Sequence, residues 1–147
     1  MRIRQHIGNV DINIDTKRID RNLKEAQKEL NLAVRKDTTP FVPKREGSGG
    51  GTLRRSANFP EGVYGGVLEY NTDYAHYLYV GEKYGPNIPI YDEEGNLPGF
   101  WSPKHKHPTG EPLHYHTSGT DKEWFKKSKE KNLQSWIKTV KEAVGKE

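Results

Sequence analysis

Two segments with the periodicity of amphipathic helices enclose a middle region that glycine and proline interrupt repeatedly. In the first segment, apolar residues recur at spacings of three and four positions: Ile19, Leu23, Ala26, Leu30 and Ala33. This spacing places them in one narrow stripe on a helix. We therefore predict a helix from about Thr16 to Lys36, capped by Asp15 or Thr16, whose stripe packs on a sheet. Pro40 and Pro43 are expected to end it, because the residue before a proline is disfavoured in helical conformation.

The second helical segment lies near the C-terminus, and its predicted start is Thr120. Thr120 and Glu123 have the spacing of a capping box, in which each side chain hydrogen-bonds the backbone N–H of the other residue. The residues predicted to face the core follow at helical spacing: Trp124, Phe125, Ser128, Leu133, Trp136, Ile137, Val140 and Val144. The remaining face is rich in lysine.

Shorter segments have the two-residue alternation that is typical of strands. Val10, Ile12 and Ile14 alternate with polar residues, which predicts a strand or an extended arm. Residues 52–59 and 63–70 are predicted to form a hairpin around a turn at Pro60-Glu61-Gly62. Residues 74–80 favour a short helix, with a strand as the competing interpretation.

Two regions of the chain are predicted to be loops within a single domain that covers residues 1–147. Residues 47–51 read G-S-G-G-G, which indicates a mobile loop. Residues 81–119 contain six prolines and have no helical period, so they are expected to be functional or disordered. Within them, residues 88–91 and 113–116 are candidates to pair as strands.

The composition indicates a small core. Hydrophobic residues make up 31% of the chain and the mean hydropathy is −1.01, near the limit at which burial offsets the entropy of ordering. The 15 aromatic residues offset part of this deficit, because each removes a large area from water. We therefore expect a subunit of a larger assembly.

No apolar run is long enough to cross a bilayer and no signal-peptide pattern opens the sequence, so a soluble protein without a membrane partner is expected.

The charges give one candidate contact surface. The net charge is +4, and bases and acids are interspersed, as on an ordinary solvated surface. The best basic patch is Lys44-Arg45 with Arg54-Arg55, which we predict to contact DNA or an acidic partner, because phosphate binding requires cations along the backbone. A salt bridge at a subunit interface and an exposed surface without a partner are the alternatives.

Histidine is the residue type that could indicate a metal site. His105 and His107, and then His114 and His116, form two H-x-H pairs, and in a strand the members of each pair would face the same way. Four imidazoles could bind zinc. The surrounding prolines favour a polar loop instead, and we predict no metal and no cofactor.

The chain contains no cysteine, no nucleophile elbow and no phosphate-binding loop, so we predict no catalytic residues and no enzyme. The carboxylates at 92–94 are interpreted as a solvated turn.

Four segments also carry residue patterns in a fixed order. Asp37–Pro43 reads D-T-T-P-F-V-P, and Gly51–Ser56 reads G-T-L-R-R-S. Tyr74–Gly81 reads Y-A-H-Y-L-Y-V-G, and Gly119–Phe125 reads G-T-D-K-E-W-F. Over about residues 16–145, this order resembles the minor capsid and tail-completion proteins at the head–tail junction of long-tailed phages.

The resemblance implies a fold and a function. The implied fold is α+β: a small antiparallel sheet flanked by a long N-terminal helix and a C-terminal helix, with long extended loops. The implied function is a structural virion protein, made in the host cytoplasm, that forms a ring, commonly six-fold, in the phage neck. Its partners would be further copies of itself, adjacent connector, stopper and tail proteins, and the genomic DNA that passes through the ring. The loops at 47–51 and 81–119 would contact neighbouring subunits or rings. The expected core or interface anchors are Tyr74, Tyr77, Trp124 and Trp136. A DNA-binding module and a metal-binding protein that uses the histidine pairs are the alternatives.

Overall fold

The computed structural model describes residues 2–45, 47 and 50–146, and it begins with a β-hairpin. Strand β1 (Arg2–Ile7) pairs antiparallel with β2 (Val10–Asp15) across a turn at Gly8. The predicted strand at β2 is confirmed. Sequence reasoning missed β1, because Ile3 and Ile7 are four positions apart and do not show the two-residue alternation of a strand.

Helix α1 (Lys17–Thr38) confirms the first predicted helix and continues as a 3-10 turn over Thr39–Phe41. The carboxylate of Asp15 accepts a hydrogen bond of 3.0 Å from the N–H of Lys17 at the helix start. The predicted stripe is buried only in part: Ala26 is in the core, whereas Ile19 and Leu23 are about half exposed. The prediction that this helix packs on a sheet is wrong, because its main partner is the C-terminal helix.

The middle of the chain departs from the predicted hairpin. Residues Thr52–Arg55 form a short helix, α2, and only β3 (Ala57–Asn58) and β4 (Glu69–Tyr70) pair as strands. The turn predicted at residues 60–62 is present, since the N–H of Gly62 donates to the carbonyl of Phe59 at 2.9 Å. Helix α2 forms because Gly51, with φ of 89°, turns the chain and its carbonyl accepts from the N–H of Arg55.

Helix α3 (Ala75–Val80) confirms the short helix predicted there, and a long two-stranded ribbon follows it. The ribbon contains β5 (Glu82–Gly85), β6 (Ile88–Ile90), β7 (Gly99–Trp101) and β8 (His107–Pro112). Strand β5 pairs antiparallel with β8, and β6 pairs antiparallel with β7. We call residues 82–112 the β arm.

The β arm corrects the prediction that residues 81–119 form a loop. The predicted pairing of residues 88–91 with 113–116 is wrong, because Ile88–Ile90 pairs with Gly99–Trp101. The prolines suggested a loop here. In a two-stranded ribbon, however, the backbone N–H groups on the outer edge of each strand make no hydrogen bonds to another strand. Pro89 and Pro108, which lack an N–H, therefore fit within the strands.

Helix α4 (Trp124–Val144) runs antiparallel to α1, and polar contacts join the two helices at both ends. At one end the buried hydroxyl of Thr38 donates to that of Ser128 at 2.9 Å. At the other end the side-chain amide of Asn22 donates to the carbonyls of Val144 and Lys146, at 3.1 and 2.7 Å. Asn22 thereby supplies a donor to the carbonyl-rich end of α4.

The predicted start of the last helix is wrong by one turn. Helix α4 begins at Trp124, and Glu123 precedes it with a left-handed φ of 50°. The hydroxyl of Thr120 donates to the carbonyl of Thr117, and the N–H of Glu123 donates to the carbonyl of Tyr79 at 2.9 Å. These bonds replace the capping box and tie the start of α4 to the end of α3.

The core is small and lies beneath the start of α4. Val42, Leu53, Ala75 and Trp124 form its buried cluster. The rings of Tyr79 and Tyr70 pack edge-on against Trp124, at centroid distances of 4.8 and 5.7 Å. Three residues of α4 that were predicted to be buried are instead more than one third exposed to solvent: Phe125, Leu133 and Ile137.

The expected fold class, α+β with a small antiparallel sheet flanked by a long N-terminal helix and a C-terminal helix, is confirmed. Within the described residues, the strands pair as four separate two-stranded ladders and do not join into one sheet. Core packing therefore depends on helices and aromatic side chains.

Gly81 joins the end of α3 to the first strand of the β arm. A substitution there tests how the arm is attached. It has φ of 79°, and a Cβ added there would lie 2.7 Å from Cβ and Cδ of Lys122. We expect Gly81→Ala to lower the free energy of unfolding by about 2–3 kcal/mol, through left-handed strain and a steric clash. Denaturant unfolding measures the change. Gly119→Ala is the matched control, because Gly119 has φ of 77° and no atom of the described residues lies within 4 Å of the added carbon. Equal losses in the two variants would contradict the packing role.

Candidate functional site

A basic pocket of about 590 Å³ lies where the Gly-rich segment meets the chain that returns from the β arm. It is lined by Pro43, Lys44, Arg45, Gly50, Gly51, Thr52, Leu53, Tyr74, Leu78, His114, Tyr115, His116, Thr117 and Thr120. The hydroxyl of Thr117 donates to the carbonyl of Lys44, which joins the two walls. Ser48 and Gly49 of the predicted mobile loop lie outside the described residues.

The four predicted contact cations divide into two pairs in the structure. Lys44 and Arg45 line the basic pocket. Arg54 donates from Nε to the carbonyl of Val42 at 2.8 Å and from Nη2 to that of Pro40 at 3.3 Å. Arg55 donates from Nη1 to the carbonyl of Gly50 at 3.0 Å. The guanidinium groups of the second pair thus hold the backbone that shapes the pocket.

The histidine pairs lie apart in the fold. His114 and His116 line the basic pocket on either side of Tyr115, whose hydroxyl donates to the carbonyl of Leu78 at 2.5 Å. Burial raises the pKa of Tyr115. His107 is the first residue of β8 in the arm, and His105 lies in the bend before that strand. Among the described residues, no three histidine, aspartate or glutamate side chains are grouped as metal ligands. Chemically, the pocket offers cations and imidazoles to an anionic group such as phosphate or carboxylate.

The four predicted anchors take different places. Trp124 is buried in the core, and buried Trp136 donates from Nε1 to the carboxylate of Asp37 at 2.8 Å. Half-buried Tyr77 packs on Tyr84 with a centroid distance of 4.7 Å, which supports the base of the β arm. Tyr74 is exposed at the basic pocket, so it is not a core residue in the single chain.

A larger apolar groove of about 1060 Å³ lies between α1, α4 and the segment from residue 66 to residue 79. Its lining consists of Gln27, Leu30, Asn31, Val34, Gly66, Val67, Leu68, Tyr70, Ala75, His76, Tyr79, Trp124, Phe125, Lys129, Leu133, Trp136, Ile137, Val140 and Lys141. Burial raises the pKa of Tyr70 in its lining to about 12, which keeps the phenol neutral. The two lysines give the apolar groove a positive charge. The sequence suggested a buried face on α4 but gave no sign that part of it would stay open.

The tip of the β arm (Ile88–Trp101) is the second surface that sequence reasoning missed. Its large apolar side chains are exposed: Ile88, Ile90, Tyr91, Leu97, Phe100 and Trp101. Phe100 and Trp101 are 59% and 57% exposed. The signal was available in the short apolar runs on either side of the acidic turn, I-P-I-Y and G-F-W. Exposed apolar patches of this kind mark interaction sites.

The tip keeps a defined shape through its turn. The N–H of Asp92 donates to the carbonyl of Asn96 at 3.0 Å, and the carboxylate of Asp92 accepts from the N–H of Asn96 at 2.7 Å. Further down the arm, Lys83 and Glu111 form an ion pair of 2.9 Å between β5 and β8, and this hydrogen bond lowers the pKa of Glu111. The arm therefore presents its apolar tip on an ordered ribbon.

Across the described part of the chain, no helix is both long and apolar enough to cross a membrane. Comparisons with models of protein families, with curated proteins and with solved structures find no match to this chain.

Proposed function

We propose that this protein is a structural subunit of the phage neck, a head–tail joining or tail-completion protein whose copies form a ring between the portal complex and the tail. It has no catalytic role in this proposal. Its work is mechanical: it connects neighbouring components of the virion and surrounds the path of the genomic DNA.

The observation that carries the proposal is where the four patterned segments meet. The buried core cluster takes Val42 from the first segment, Leu53 from the second, Ala75 from the third and Trp124 from the fourth. Residues that converge in a core define a fold and do not form a reactive centre. This supports the interpretation that the ordered patterns are a fold signature, which is the basis of the resemblance to the neck proteins.

The exposed apolar surface supports an assembled state. Besides the arm tip, Ile7 and Val10 on the N-terminal hairpin are exposed, as are Leu133 and Ile137 along the apolar groove. A monomer that leaves this much apolar surface in water is expected to bury it against partners. A contact between two different surfaces, repeated about an axis, forms a ring when the rotation between neighbouring copies closes.

The basic pocket is the surface that we assign to DNA or to an acidic partner subunit. Lys44 and Arg45 line it, and His114 and His116 add two imidazoles to its lining. Contact with DNA phosphates alone is independent of sequence and weakens steeply with salt. Such contact suits a protein that surrounds DNA of any sequence.

The test is the mass of the purified protein in solution, measured by light scattering over a range of concentrations with bound metal quantified in the same sample. We expect a defined closed oligomer, with six copies of the 16.9 kDa chain as the first candidate, or a monomer that assembles when phage neck components are added. A metal-loaded monomer that neither oligomerises nor binds neck components would overturn the proposal. A monomer or dimer with salt-sensitive DNA binding would favour the DNA-binding alternative.

A further inference from the structure

We infer that the apolar groove between α1 and α4 receives the tip of the β arm from a second copy of this chain. This inference rests on the proposed ring and names the contact that would build it. The two surfaces are the largest groove and the most exposed aromatic cluster described above.

The two surfaces match in size and polarity. Pockets that bury a ligand of several rings usually have volumes of roughly 300–1,000 Å³. The apolar groove, at about 1060 Å³, is as large as the largest of these. The tip offers side chains of that scale. Ile88 lies opposite Trp101 in the β6–β7 ladder, and Ile90 is two positions further along the same face, so one face of the ribbon carries three apolar positions in a row.

The two surfaces also match in charge. From Ile88 to Trp101 the chain contains Asp92, Glu93 and Glu94 and no basic residue. Among the residues that line the groove, the charged side chains are Lys129 and Lys141. An acidic turn between apolar strands therefore fits an apolar groove with lysines in its lining, and opposite charges favour this orientation over others.

The occupant comes from another copy because the arm does not reach its own groove. Phe100 and Trp101 are more than half exposed in the single chain, and the base of the arm is fixed where Gly81 accepts a hydrogen bond of 2.9 Å from the N–H of Leu113. Tip and groove are different surfaces, so their contact is heterologous. Each copy then inserts one arm and receives one, as ring closure requires.

Disulfide crosslinking between two single-cysteine variants tests the contact, and the chain offers a clean background because it contains no cysteine. Tyr91→Cys places a thiol at the arm tip, and Leu133→Cys places one at the groove, where Leu133 is 37% exposed. The two variants carry tags of different size, are mixed in equal amounts and are oxidised mildly. We expect the mixed dimer to form at least about tenfold faster than in the control mixture.

The control mixture replaces Leu133→Cys by Ser135→Cys, which puts a thiol at an exposed position of α4 that does not line the groove. Equal rates in the two mixtures, or no mixed dimer, would overturn the inference. If wild-type protein forms an oligomer without the selective crosslink, the proposed ring stands and the arm–groove contact is wrong. If the selective crosslink appears but no closed oligomer exists, the contact stands and the ring is wrong.

A charge exchange gives a second, independent readout. Glu93→Lys with Glu94→Lys reverses charge at the tip, and Lys129→Glu with Lys141→Glu reverses it in the groove. Each pair of changes is expected to weaken self-association at least about tenfold, and the chain with all four changes should recover most of the loss. If that chain associates no better than either pair alone, the tip and the groove do not meet.

Discussion

Trp124→Ala is expected to lower the free energy of unfolding by about 3–5 kcal/mol, which is the usual cost of removing a buried tryptophan. Trp124 is 2% exposed and lies in the core cluster with Val42, Leu53 and Ala75. Domains of ordinary stability unfold with only about 5–15 kcal/mol, and this core is small. The variant should therefore be largely unfolded at mild denaturant concentrations at which the natural protein is folded.

The loss is expected to exceed that of a simple cavity, because two further rings depend on Trp124. Tyr79 and Tyr70 pack edge-on against it, and such pairs contribute about 0.5–1.5 kcal/mol beyond area burial. Urea unfolding followed by far-UV circular dichroism measures the change. Trp101→Ala is the matched control: at protein concentrations low enough for the monomer, the same substitution at the exposed arm tip should change stability by less than about 0.5 kcal/mol. Similar losses in the two variants would show that the core is not where the structure places it.

Asn31→Asp is expected to cost about 3–5 kcal/mol at pH 7, because it places an unpaired charge in a buried site. The side-chain amide of Asn31 donates to the carbonyls of Val63 and Gly65, at 2.7 and 2.5 Å, and its oxygen accepts from Gln27 at 2.9 Å. A carboxylate keeps only the bond from Gln27 and turns its negative charge toward two carbonyl oxygens. The substitution changes the size of the side chain very little, so the loss reports on hydrogen bonding.

The same variant has an expected pH dependence. Facing two carbonyl oxygens, the introduced carboxyl group should have a folded-state pKa above its unfolded value of about 3.9. Its protonated form can donate to one carbonyl, so the deficit relative to the natural protein is smallest below about pH 4. The deficit then grows as pH rises through the folded-state pKa.

Denaturant unfolding of both proteins at pH 4 and pH 7 checks the pH dependence, with the difference taken at each pH. The control is Asn87→Asp, because exposed Asn87 accepts from Nζ of Lys106 at 2.7 Å and a carboxylate keeps that bond. A deficit for Asn31→Asp that is the same at both pH values would contradict the assigned hydrogen bonds.

Long periodic segments were predictable from the sequence. Both long helices and the strand at Val10–Asp15 appear where their periodicity indicated, because that signal is averaged over many residues. The residue at which a helix begins was not predictable in the same way. The T-D-K-E pattern lost its capping role because the N–H of Glu123 bonds to Tyr79, a contact from another helix that no local pattern contains.

The candidate surfaces were harder to predict than the elements. The basic residues were identified, but Arg54 and Arg55 could not be separated from Lys44 and Arg45, because that depends on which backbone carbonyls come within reach of each guanidinium. The apolar groove was hidden because Leu133 and Ile137 have the spacing of core residues. The sequence does not show that no element among the described residues covers this side of α4. The β arm was hidden by its prolines, which an isolated ribbon tolerates.

The contact between α1 and α4 also affects how the protein is made. The hydroxyls of Thr38 and Ser128 meet across 90 positions of sequence, and Asn22 reaches Val144 across 122. During translation at roughly 5–20 residues per second, Thr38 leaves the ribosome on the order of 5–20 s before Ser128. Throughout that interval α1 has no helical partner and the core lacks Trp124. The apolar groove, which α4 helps to line, therefore cannot form until α4 has been synthesised.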